Sequence, residues 1–63
     1  MEEEVRAFFA RAAYYNIKQY QIAKRAGLQP GTISKWNKMV PPSLKTWTRA
    51  NAALEELIAE KNA

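Results

Sequence analysis

Residues 19–36 read QYQIAKRAGLQPGTISKW, two short apolar-periodic segments joined across a glycine. In the first, Ile22, Ala23 and Ala26 fall at i, i+1 and i+4 and share one face of a helix over residues 19–26. Gly27 can take the left-handed conformation that ends such a helix. Leu28 then fills the gap between the segments. Pro30 opens the next helix, over residues 30–38, where its missing N–H costs little. Ile33 and Trp36, three apart, face inward there, leaving Thr32, Ser34, Lys35, Asn37 and Lys38 outward. A small residue at Ala23 lets two helices cross closely at about 90–120°. The stretch reads as a helix-turn-helix, an arrangement whose second helix can enter a major groove.

The flanking sequence supplies two more helices. In the first, over residues 2–14, Glu2, Glu3 and Glu4 sit in the opening turn, where negative charge complements the helix dipole. Val5, Phe8, Phe9 and Ala12 form an i, i+3, i+4, i+7 stripe toward the core, and Arg6 and Arg11 fall away from it. Asn16 is the best left-handed terminator nearby, and Ile17 tucks under the following helix. Tyr14, Tyr15 and Tyr20 could stack on bases, but packing at the core edge with wet hydroxyls is the favoured reading. Tyr20 is the exception, since it stands at the outer start of the second helix. Pro41 and Pro42 stop the third helix, and Ser43 caps a last helix over residues 43–61. Along that helix Leu44, Trp47, Ala50, Leu54, Leu57 and Ile58 repeat on one side, with Lys45, Thr48 and Arg49 opposite. About 18 residues of helix span about 27 Å, more than three short helices cover. Leu54 is expected inside. Leu57 and Ile58 either pack on Val5, Phe8 and Phe9 or meet a second chain.

All six acidic residues lie near the ends, at Glu2, Glu3, Glu4, Glu55, Glu56 and Glu60. Between Val5 and Leu54 stand nine basic residues and no acid. A basic middle of this kind suggests a polyanionic partner; the plainer alternative is a solvated basic surface. With no Cys and no His, and carboxylates confined to the ends, no nucleophile, base or metal cluster is visible. The chain is therefore expected not to be an enzyme, and to need no cofactor, metal or small-molecule ligand. Sixty-three residues make one domain, residues 1–63. No apolar run approaches the roughly 18 residues of a membrane span, and the acidic start is unlike a signal peptide. The expected location is the cytoplasm.

The helix-turn-helix resembles that of the Cro and lambda-repressor-like (XRE-type) family. Gln19, Ile22-Ala23, Gly27-Leu28 and Thr32-Ile33-Ser34-x-Trp36 carry the resemblance. Lys18 departs from it, standing where Ser or Thr often caps the helix, and so does Pro30-Gly31, where longer side chains are common. The resemblance implies an all-α domain of four, or at most five, helices. It implies that Gln19 binds a DNA phosphate, and that the base-reading positions are Gln29, Pro30, Gly31, Ser34 and Lys35. Chemically, Gln29 can present its amide to adenine and Lys35 can donate to guanine. Thr32 and Ser34 can donate, or pack against a thymine methyl. Gly31 lets the helix lie close to the groove floor. Tyr20, Asn37 and Lys38 sit where backbone phosphates would be held.

The expected function is a sequence-specific regulator of transcription, a phage or bacterial repressor of the Cro kind, acting as a homodimer on an inverted-repeat operator in duplex DNA. Two other classes compete. One is a phage-encoded inhibitor that docks the same fold on a host protein. The other is an architectural DNA binder without sequence preference.

Overall fold

The computed structural model describes residues 2–63. Its order is α1 (Glu2–Tyr14), α2 (Gln19–Ala26), α3 (Pro30–Ser34), a 3-10 turn (Lys35–Lys38) and α4 (Leu44–Asn62). There is no strand among the described residues, so the chain is all-α.

Three consecutive helix ends close in the same way. Asn16, Gly27 and Met39 each adopt a left-handed conformation, with φ of 57°, 73° and 68°. In each case the following N–H returns to a carbonyl five residues back. These bonds are Ile17 to Ala12 and Leu28 to Ala23, both 2.8 Å, and Val40 to Lys35, 3.3 Å. Asn and Gly tolerate that conformation well, which is why the first two ends are legible in the sequence. Met has no such preference.

Helix starts are equally specific. Lys18 has no side-chain acceptor to cap α2, but Gln21 reaches back and its Oε1 accepts from the Lys18 N–H at 2.8 Å. One half of a capping box thus stands in for the missing Ser or Thr. Ser43 caps α4 as expected, its Oγ accepting from the Thr46 N–H at 3.3 Å.

The core is one cluster drawn from every α-helix. Val5, Phe8 and Ala12 come from α1, and Ile17 from the first junction. Ile22 and Ala23 come from α2, Ile33 from α3, Trp36 from the 3-10 turn, and Ala50, Ala53, Leu54 and Ile58 from α4. Phe8, Trp36 and Trp47 form an aromatic triangle with ring centroids 5.4–5.8 Å apart. Tilted and edge contacts of this kind add to the area they bury. A radius of gyration of 10.7 Å matches the roughly 10.6 Å expected of a compact domain this size.

Three expectations change, and one left open between two alternatives is resolved. The helix expected over residues 30–38 is α-helical only to Ser34 and tightens into a 3-10 turn from Lys35, a common way for a short helix to end. Leu44 is 76% exposed instead of lying on the buried stripe, because the stripe of α4 runs through Ala50, Ala53, Leu54 and Ile58. Ile58 is only 6% exposed, buried within its own chain, so it is not a surface for a second one. Its neighbour Leu57 is half-buried against the same core. Of the three tyrosines, only Tyr15 packs on the core. Tyr14 meets Tyr15 edge-on but is otherwise exposed, as is Tyr20.

Candidate nucleic-acid interface

α2, the three residues 27–29 and α3 form a helix-turn-helix. Ile33 and Trp36 lock one side of the second helix into the core. The other side carries the residues singled out from the sequence.

Gln29 precedes α3 in extended conformation, exposed, with no side-chain capping bond, so its amide is not engaged by the fold. Its carbonyl accepts from the Thr32 N–H at 3.0 Å, which sets the first turn. Gly31 is exposed, and a Cβ built on it would meet no heavy atom within 4 Å. Nothing in the fold requires glycine there. Thr32 and Ser34 are half-buried. The Ser34 hydroxyl donates to the Gly31 carbonyl at 3.3 Å, leaving its lone pairs and methylene to face outward while that bond holds.

Lys35 and Lys38 open and close the 3-10 turn. Side chains three apart eclipse in such a turn, about 6 Å apart along its axis. Lys35 and Lys38 therefore start from one side of the turn, with Trp36 and Asn37 on the other two. Asn37, exposed, lines a cleft of about 340 Å³ with Lys18, Gln19, Asn16 and Phe9. Thus Gln19 and Asn37, eighteen positions apart in sequence, come together at the start of α2, and Tyr20 stands exposed one residue on.

The charge distribution differs from its sequence reading. The terminal acids fold back onto the basic middle. Arg25 pairs with Glu60 at 2.6 Å and with Glu56 at 3.2 Å. Arg11 pairs with Glu55, and Arg6 with Glu2 at 3.5 Å. Hydrogen bonds to Glu60 and Glu56 raise the Arg25 pKa, and the bond from Arg25 holds the Glu60 carboxyl below its ordinary value. Arg11 is raised likewise by its bond to Glu55. Among the described residues, Lys18, Lys24, Lys35, Lys38, Lys45 and Arg49 make no ion pair, so six of the nine central cations stay unopposed in space. Among the described residues every paired cation is an arginine, whose planar fork suits carboxylates.

Leu57 and Ile58, the sequence's candidates for a second chain, are packed on the core and line no part of the cleft beside Gln19 and Asn37. Residues 39–44 are the part that sequence reasoning missed. Met39, Val40 and Leu44 are exposed apolar side chains that follow the 3-10 turn directly. Their signal was an apolar pair, Met-Val, ahead of two prolines, read only as a loop. No helix among the described residues is long and apolar enough to cross a membrane.

Comparison with protein-family models, with curated proteins and with solved structures found no match for this chain.

Proposed function

We propose that this chain binds duplex DNA in a sequence-specific manner, with α3 and its 3-10 extension in the major groove, and regulates transcription as a Cro-like repressor of phage or bacterial type. The observation that carries this reading is the exposed side of the second helix. There Gln29, Lys35 and Lys38 make no side-chain bond within the fold, while Ile33 and Trp36 hold the helix rigidly from behind.

The mechanism has two parts. Unopposed lysines neutralise phosphates and give affinity that falls with salt, by about 0.9 in log K per log salt for each contact. Gln19, Tyr20, Asn37 and Lys38 hold the backbone and fix the register. Gln29, Thr32, Ser34 and Lys35 then discriminate among bases, each good contact contributing about 1–3 kcal/mol. Gly31 allows close approach. No catalytic role is assigned to any residue. One 63-residue chain offers a small interface, so the working unit is a homodimer on an inverted repeat with half-sites about 34 Å apart.

Selection of the purified protein on random duplex pools at about 150 mM salt, where surface charges are screened beyond about 8 Å, tests this directly. Enrichment of a palindrome supports it, and Lys35→Ala should relax the preference at one position in each half-site. Binding without enrichment would favour the architectural alternative. No binding would move the function to a protein partner.

A further inference from the structure

We propose that residues 39–44, with the cleft beside them, form a two-fold contact between two copies of this chain. The first observation is Met39. Of the three left-handed helix ends it alone carries a residue with no preference for that conformation, and its side chain is 72% exposed. Fold stability alone would favour glycine or asparagine there. Val40 and Leu44 stand out in the same segment, 48% and 76% exposed. Leu44 lies within about 11 Å of Pro41 along the chain. Apart from two tyrosines, these three are the only large apolar side chains exposed among the described residues.

The second observation is what lies beside them. A cleft of about 350 Å³ opens between α1 and this loop, lined by Val5, Phe9, Trp36 and Pro41 together with Met39 and Val40. That is near the lower end of sizes that hold a ligand, and suits an aliphatic side chain or two. One patch thus presents both protruding apolar groups and a recess to receive them. Its rim carries one charge of each sign, Glu2 and Arg6, which pair with each other at 3.5 Å across one turn of α1, both line the cleft and are both largely exposed. A surface with knob, hole and both charges matches a second copy of itself. Around a two-fold axis, the exposed pair within each chain exchanges for one in which Glu2 of each chain meets Arg6 of the other.

This proposal rests on the DNA-binding reading for the purpose of the dimer, and not for its existence. The patch follows Lys38 without a break, so pairing through it sets two copies of α3 side by side, as an inverted repeat requires. The contact is small beside the roughly 800 Å² per partner of a standard interface. The free dimer is therefore weak, and neighbouring half-sites strengthen it by holding the chains close.

Sedimentation equilibrium of the protein without DNA, from about 10 μM to about 1 mM, tests the contact; a Kd in that window corresponds to a weak association. A monomer–dimer equilibrium is expected. Leu44→Glu and Met39→Gly should each raise Kd at least tenfold with the helical circular dichroism unchanged. Glu2→Arg and Arg6→Glu should each weaken self-association, and an equimolar mixture of the two should restore it, because both cross-chain pairs are then again opposite. A wild-type chain that stays monomeric at 1 mM overturns the proposal. So does a dimer indifferent to Leu44→Glu and Met39→Gly, or a mixture that fails to associate. A chain that dimerises in this way and enriches no duplex leaves the contact standing and removes only the DNA reading. A monomer that selects a palindrome does the opposite.

Discussion

At Gly31 the fold and the proposed function ask for different residues. The position is helical, its φ is not left-handed, and a Cβ would meet open space. Alanine is favoured over glycine in a helix by about 0.8–1 kcal/mol. Gly31→Ala should therefore raise stability by up to that amount, seen as a Tm increase of about 4–8 °C for a domain this small. In a duplex-binding assay the same variant should bind its selected site several-fold more weakly, since the methyl group stands between helix and groove floor. Unchanged affinity would remove Gly31 from the interface. Met39 is a second such residue. An L-residue in left-handed conformation costs about 1–2 kcal/mol, part of which returns on substitution because glycine is more flexible when unfolded. Met39→Gly should thus unfold at a higher temperature than wild type while associating less, two readings of opposite sign from one substitution.

Helix by helix, the sequence is legible where a residue type has only one comfortable role. The bounds of α1 and α2 follow from an apolar stripe ending in Asn16 and another ending in Gly27, both left-handed as their chemistry favours. Ser43 before α4 is legible for the same reason. The third helix is less so. Pro41 and Pro42 say where it must stop, but nothing in KWNK distinguishes a last α-turn from the 3-10 turn that forms. The helical period held at Ile33 and Trp36 because both windings bring residues three apart to nearly the same side. Leu44 was misplaced since a stripe extrapolated to the first residue of a helix has no preceding turn to confirm it. On the candidate site, the outward face of α3 was readable from Ile33 and Trp36 alone. The meeting of Gln19 with Asn37 was not, since only tertiary packing creates it. Trp36 ties these elements together through Phe8 and Trp47. Trp36→Ala should cost about 3–5 kcal/mol. A chain of 63 residues has about 3–9 kcal/mol in total at 0.05–0.15 per residue. Loss of the near-ultraviolet dichroism and a broad, low melting transition are the expected signs, with Trp36→Phe retaining a cooperative one.

Across the whole molecule, charge is sorted by folding more than by sequence. Glu55, Glu56 and Glu60 return to Arg11 and Arg25, which pins the far half of α4 to α1 and α2 and withdraws those two arginines from a polyanion. Two consequences can be measured. The first is acid sensitivity. The Glu60 carboxyl is held below its ordinary 4.5 in the folded chain by its hydrogen bond from Arg25. The stability it contributes is complete above pH 4.5 and is lost as pH falls through the lower, folded value. Glu60→Gln should therefore narrow the difference in Tm between pH 7 and pH 3 compared with wild type. The second is the salt dependence of DNA binding. If only Lys18, Lys24, Lys35, Lys38, Lys45 and Arg49 can reach phosphates, log K should fall with log salt no more steeply than about −5 per chain, at about 0.9 per contact. Freeing Arg25 by Glu56→Gln with Glu60→Gln adds a cation outside the reading surface. The slope should then steepen by up to about one per chain, and affinity for unselected duplex should rise more than affinity for the selected site. A double variant whose slope and discrimination both match wild type would show that the acidic end of α4 only braces the fold, with no part in confining DNA to α3.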